Sequence, residues 1–187
     1  MSSYRKTPEA IIRYLRRLDT YLSRPVKLTV VGGTAIALRG SHQHATTDID
    51  IFESVLPEHL QRAIAAAGDE DRIEISPVGA LVTAPYTFED RIEAFAIEGL
   101  SQLQVVLPEA HDLAIMKIGR GLTHDLEGVE EIHAHEPLNK AILLERYREA
   151  QHIGSEVQFR LAFLEAIERL FGEDAAAEMQ GVLNAQD

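Results

Sequence analysis

Val30-Val31-Gly32-Gly33-Thr34-Ala35 and, a short gap later, Thr47-Asp48-Ile49-Asp50-Ile51-Phe52 decide the fold of this 187-residue chain. The first stretch is an apolar strand running into a glycine pair. The second is another apolar strand that carries two carboxylates one residue apart. Strand side chains alternate between faces, so Asp48 and Asp50 point one way while Ile49 and Ile51 enter the core. Neighbouring carboxylates repel, and a sheet seldom keeps such a pair unless a cation sits between them. Mg²⁺ suits the position, being a hard cation held by one or two carboxylates and completed by substrate phosphates. Gly32 and Gly33 lack Cβ and let the backbone approach a phosphate, and a helix beginning near Thr34 favours negative charge at its N-terminus. The pattern predicts a metal-dependent nucleotide site, with Asp48 and Asp50 as metal ligands and Gly32, Gly33 and Thr34 around the triphosphate. Taken singly, each half has a plainer reading: a Gly-Gly turn, and outward carboxylates that guard an edge strand against aggregation.

Working outward, turn residues and hydrophobic period set the elements. Thr7-Pro8-Glu9 opens a helix, with Thr7 as N-cap and Ile11, Ile12, Leu15, Leu18 and Leu22 at helical spacing. Val26 to Val31 reads as a strand, Thr34 to Leu38 as a short helix, and Asp48 to Phe52 as the next strand. A helix over Pro57 to Ala67 closes at Gly68. Ile73 to Ile75 and Leu81 to Thr83 are weaker strands, interrupted by Pro77 and Gly79, and Leu103 to Leu107 is a firmer one, stopped by Pro108. Beyond it the chain turns helical, over roughly 109–120, 125–134, 137–151, 155–171 and 173–184. Ser155 with Gln158 makes a capping box and Gly172 a helix stop. The expected class is α+β: a small mixed sheet flanked by helices, with a helical C-terminal part. The expected divisions are a basic helix (1–25), a core (26–108) and a helical region (109–187).

Composition narrows the chemistry. Cysteine is absent, which excludes disulfides and thiolate metal sites and suits a cytoplasmic protein. No apolar run approaches the length of a membrane span, and the N-terminus lacks a signal-peptide core. The net charge of −12 argues against a general nucleic-acid coat. Residues 1–40, however, hold eight Lys or Arg against Glu9 and Asp19, a net of +6, leaving −18 for the rest. A basic N-terminal helix beside an acidic body is suited to guiding a polyanion such as tRNA; its plainer role is a solvated face packed through its isoleucines and leucines.

The two opening stretches resemble the signature of the nucleotidyltransferase superfamily built on the polymerase-beta-like fold. Further along, His111-Asp112-Leu113-Ala114-Ile115-Met116-Lys117-Ile118-Gly119-Arg120 and Thr123-His124-Asp125-Leu126-Glu127 resemble two later motifs of a narrower group, the AbiEii-type toxins and related proteins of bacterial toxin–antitoxin systems. The resemblance spans about residues 26–135. It implies Mg²⁺, an NTP as substrate, and an active centre in which Lys117 and Asp125 join Asp48 and Asp50. It also implies an acceptor that is RNA, such as tRNA ends, or a protein, and a cognate antitoxin or other protein as partner. Lys117 would hold the triphosphate or offset its developing charge, with Arg120 on a neighbouring face also binding nucleotide. On spacing alone Lys117 is an ordinary exposed helix lysine and Asp125 a helix cap. Relatives often carry an acid or small polar group three residues after that aspartate, whereas this chain has Gly128.

The superfamily commonly adds a third carboxylate on a later strand, and Glu89, Asp90 and Glu93 offer candidates that period does not separate. Without one, the base that deprotonates an acceptor hydroxyl is missing. Thr46 and Thr47, just before the pair, are placed to bond a phosphate oxygen or to fix the start of the strand. His42 and His44 read as exposed loop residues, and His133 and His135, two apart on a helix, make a poor metal pair. Two functions follow: a Mg²⁺-dependent transfer of a nucleoside monophosphate from an NTP to an acceptor, or an inactive module of the same fold that binds a nucleotide or a partner chain.

Overall fold

The computed structural model describes residues 7–40, 48–68, 70 and 72–185. In chain order these form α1 (Pro8–Asp19), β1 (Val26–Thr29), α2 (Gly32–Leu38), β2 (Asp48–Ile51), α3 (Glu58–Ala67), β3 (Glu74–Pro77), β4 (Ala84–Pro85), β5 (Glu93–Phe95) and β6 (Leu103–Leu107). There follow α4 (Ala110–Arg120), α5 (Thr123–His135), α6 (Lys140–Glu149), β7 (Ala150–Gln151), α7 (Glu156–Phe171) and α8 (Glu173–Asn184). The class is α+β, with small mixed sheets and a helical C-terminal part. The chain gathers into two units, one from residues 1–81 and 91–109, the other from 82–90 and 110–187.

In the first unit β1 runs parallel to β6, which pairs antiparallel with β5. β2 and β3 form a parallel pair in which Asp48 faces Glu74 and Asp50 faces Ser76. A single antiparallel bridge, Val30 to Ile51, joins the two sheets. It is flanked by backbone bonds from Val31 N to the Asp50 carbonyl (2.9 Å) and from Phe52 N to the Thr29 carbonyl (2.8 Å). The strand carrying the carboxylates is thereby locked to the strand that delivers the glycines.

The start of α1 follows the sequence: Thr7 Oγ1 accepts from Ala10 N, and Pro8 occupies the first turn. Its buried stripe, Ile11, Tyr14, Leu15 and Leu18, is at most 1% exposed. At its last residue, Asp19, also buried, accepts from Ser101 N and Oγ, Gln102 N and Leu103 N at 2.6–3.0 Å. Burial alone would raise the Asp19 pKa, but these hydrogen bonds hold it below the usual carboxylate range. One side chain thus fixes α1 to the start of β6.

Two sequence expectations shift. The strand expected over Leu81–Thr83 is instead a 3₁₀ turn at Gly79–Leu81 followed by the two-residue β4. The turn lies so close to β2 that a Cβ on Gly79 would fall 1.6 Å from the Phe52 carbonyl oxygen. The helix expected over 137–151 is confined to Lys140–Glu149, and Ala150–Gln151 form β7 instead, while the short β5 had no periodic signal.

The second unit is built around α4, whose Leu113, Ala114, Ile115 and Ile118 are wholly buried. α5, α6 and α7 pack against it. β4 pairs antiparallel with β7, and Thr83 Oγ1 accepts from Ile153 N at 3.1 Å. Ser155 caps α7 by accepting from Gln158 N, and Gly172 turns the chain into α8. Such a cap contributes about 1 kcal/mol. No helix among the described residues is long and apolar enough to cross a membrane.

Candidate functional site

Asp48 and Asp50 lie on β2 with Ile49 and Ile51 between and after them, and only the isoleucines are fully buried. The alternation places both carboxylates on one half-exposed face, as the period demands. The glycine turn meets that face directly. Gly32 has φ +66°, and a Cβ built there would lie 2.6 Å from Asp50 Oδ2. Both the left-handed backbone and the close approach require glycine. α2 begins at Gly32 rather than near Thr34, so the glycine pair forms the first turn of the helix instead of preceding it. Thr34, fully buried, donates its hydroxyl to the Asp48 carbonyl at 2.7 Å. Gly32, Thr34, Asp48 and Asp50 are therefore one connected piece of structure, with Gly33 inside it. Thr46 and Thr47, and likewise His42 and His44, lie outside the described residues.

Residues that could hold a cation here are the two aspartates. Among the described residues no group of three His, Cys, Asp or Glu is arranged to bind a metal. Two same-face carboxylates beside a backbone cradle that a Cβ would fill still suit Mg²⁺, which takes its remaining ligands from water and phosphate. Of the sequence candidates for a third acid, Glu93 on β5 pairs with Arg39 Nη2 at 2.6 Å, while Glu89 and Asp90 belong to the 3₁₀ turn at Phe88–Arg91. Sequence reasoning missed Glu74. It faces Asp48 in the parallel register, so its side chain shares the carboxylate face. No local signal could have found it, because register is set by pairing between distant segments.

The second unit brings Lys117, Arg120 and Asp125 together. Asp125 is wholly buried and Lys117 is 4% exposed. Lys117 Nζ donates to Asp125 Oδ1 at 3.1 Å; Arg120 donates through Nε to Oδ2 (3.0 Å) and through Nη2 to Oδ1 (2.7 Å). Lys117 is thus not the exposed helix lysine that spacing alone suggests. Asp125 is not the cap either: α5 starts at Thr123, and its N-cap residue, Leu122, makes no side-chain bond. Burial pushes the Asp125 pKa up, but the Arg120 hydrogen bonds and the Lys117 charge outweigh it and hold the carboxyl below its ordinary value. The arrangement is a bidentate Arg–carboxylate pair with a buried lysine added, and Arg120 keeps 44% of its side chain exposed. Gly128 is itself buried on α5. His133 is engaged by its own neighbourhood, accepting from Leu138 N at 3.0 Å.

A family model described as "Nucleotidyltransferase of unknown function (DUF6036)" matches residues 9–169, most of the chain. No curated protein and no solved structure matches it.

Proposed function

We propose that this chain, which belongs to the family of nucleotidyltransferases of unknown function, moves a nucleoside monophosphate from an NTP to an acceptor with the help of Mg²⁺. The observation that carries the reading is the contact between the Asp50 carboxylate and the Gly32 turn on a face shared with Asp48. In this reading Asp48 and Asp50 hold the metal, while the backbone of Gly32 and Gly33 lies where a phosphate can approach. Thr34 positions the strand through the Asp48 carbonyl, and Thr47 contacts phosphate. Mg²⁺ bound to the pair supplies positive charge against the triphosphate. The chain's own task is orientation, since phosphoryl transfer asks little covalent chemistry of the protein. Lys117, Asp125 and Arg120 are assigned to the same activity. Within the second unit the buried Asp125 carboxylate fixes the Arg120 guanidinium, and Lys117 leaves the cluster with one positive charge in excess. The acceptor is RNA, with tRNA ends as first candidate, or a protein; the setting is a toxin–antitoxin pair of the AbiEii type, in the cytoplasm, with a cognate antitoxin as partner. The two helix motifs from His111 to Glu127 support that setting.

A second reading, an inactive module that binds nucleotide or a partner chain, is favoured by one observation: among the described residues no third carboxylate closes around the pair.

The two separate in one experiment. Each α-³²P NTP is offered with Mg²⁺ to total bacterial RNA and to the protein itself, with an Asp48→Asn, Asp50→Asn double variant as control. The expected result is label on one acceptor class that vanishes in the double variant, while the variant's melting temperature stays level or rises because carboxylate repulsion is relieved. Label that persists in the variant would overturn the assignment of the pair. Mg²⁺-dependent NTP binding without transfer to any acceptor would favour the module.

A further inference from the structure

The helical unit carries an apolar face that its described residues leave open. On α7, Val157 and Leu161 stand one turn apart and are 68% and 61% exposed, while Phe159, Phe163 and Ile167 of the same helix are buried. An amphipathic helix turns one apolar stripe to the core, and α7 has a second one facing out. Leu122 and Ile153, each about half exposed, lie in the neighbouring turns. A Cβ on Gly121 would lie 3.3 Å from Ala162 Cβ, so the turn bearing Leu122 abuts α7. Ile153 stands just before α7, and its N–H is held by Thr83 Oγ1, whose side chain packs against Gly119 near the same turn. Exposed apolar side chains gathered in this way mark an interaction surface.

Charge decides what can cover it. Residues 82–90 and 110–187 hold seven Lys or Arg against seventeen Asp or Glu, a net of −10. The exposed stripe runs along α7 into that charge, since Glu165 follows Leu161 one turn on. Glu165 holds Arg169 at 2.6 Å, and Glu130 of α5 lies 3.6 Å from the same guanidinium. The Glu165 hydrogen bonds foremost, then the charges of Glu165, Glu130 and Glu127, raise the Arg169 pKa above its usual value. One cation among three carboxylates leaves this end of the face negative. A second copy of the chain would bring the same negative charge, and nucleic acid or anionic lipid is repelled likewise. We propose that this face docks an amphipathic helix of a partner protein, apolar on one side and rich in Lys or Arg on the other. Its apolar side chains cover Val157, Leu161, Leu122 and Ile153, and its cations meet Glu127, Glu130 and Glu165. A helix fits because the i, i+4 ridge on α7 packs into the grooves of another helix. The proposal rests on the helical unit alone and does not depend on the aspartate pair.

The test is fluorescence anisotropy of labelled synthetic peptides titrated with the full chain at about 0.15 M salt. The probe is a peptide of about eighteen residues, five turns of helix, with Leu along one face and Lys on the other. Its controls are the same peptide with Glu for Lys, and a scrambled peptide of the same Leu and Lys content. Wild type is compared with a Val157→Gln, Leu161→Gln double variant and with a Glu127→Gln, Glu130→Gln double variant. We expect the Leu/Lys helix to saturate one site and to bind about tenfold or more tighter than either control. The Val157→Gln, Leu161→Gln variant should lose about tenfold or more of that affinity, as interface anchors do, with its melting temperature unchanged because both positions are exposed. The Glu127→Gln, Glu130→Gln variant, with the apolar face intact, should lose several-fold, and the loss should shrink in high salt. A scrambled peptide that binds as well as the helix, or a Val157→Gln, Leu161→Gln variant that binds like wild type, would overturn this face as the docking site. A Leu/Glu peptide that binds equally well would overturn the basic partner. Sedimentation that shows a wild-type dimer lost in the Val157→Gln, Leu161→Gln variant would overturn it too, and assign the face to a second copy of the chain.

Discussion

At the scale of the residue, Gly32 is the position at which site and scaffold coincide. Its φ of +66° and the 2.6 Å approach of Asp50 Oδ2 leave no place for a methyl group. Gly32→Ala should destabilise the protein by about 1–3 kcal/mol, from left-handed strain and overpacking together. It should also weaken Mg²⁺-dependent NTP binding by about tenfold or more, because relief comes by displacing the Asp50 carboxylate. Chemical denaturation and calorimetry read the two effects separately; a variant that loses stability yet binds NTP like wild type would show that Asp50 does not need its present position. The aspartate pair and the glycines were legible because the period of a strand and the backbone demands of a turn are local properties. The fate of Lys117 and Asp125 was not. Nine consecutive residues of α4, from Ala110 to Ile118, are buried, so no polar stripe marks whether Lys117 faces inward.

At the scale of the element, caps and stops were the most readable features. Thr7, Gly68, Ser155 and Gly172 stand where helices begin or end, since each supplies a hydrogen bond or a backbone conformation that the helix end needs. β5 and β7 escaped notice because three-residue and two-residue strands carry too few side chains to show alternation. The role of Asp19 was equally hidden, as its partners lie more than eighty residues away. The 3₁₀ turn after β3 depends on Gly79, where the Phe52 carbonyl occupies the space of a side chain. Gly79→Ala should therefore lower stability by at least about 1–3 kcal/mol. A denaturation midpoint equal to wild type would mean that the turn can move off β2 without cost.

At the scale of the whole molecule, two of the buried carboxylates shape the response to acid. Asp19 and Asp125 both have folded-state pKa values below the ordinary one. A lowered folded pKa gives stability that is present above the unfolded value, about 3.9, and lost as pH falls through the folded one. Urea midpoints should thus change little on this account from neutral pH to about pH 5 and fall below about pH 4. Asp19→Asn and Asp125→Asn should each be less stable at neutral pH and show a shallower acid decline. For Asp125→Asn the neutral-pH loss should be about 3–5 kcal/mol, because Lys117 would lose its buried counter-charge. An unchanged decline in both variants would place the acid sensitivity elsewhere in the chain.

The course of the chain between its two units has a consequence for heredity. Residues 82–90 leave the first unit, pair with β7 of the second through β4, and the chain then returns to supply β5 and β6 before departing again at Ala110. Neither unit is one continuous run of codons. A single genetic crossover near residue 110 would give the new helical body an 82–90 segment from a different parent, with Thr83 and its bond to Ile153 N inherited separately. The helical unit is therefore not freely exchangeable by simple gene fusion. Its exchange needs the nine residues embedded upstream to travel with it.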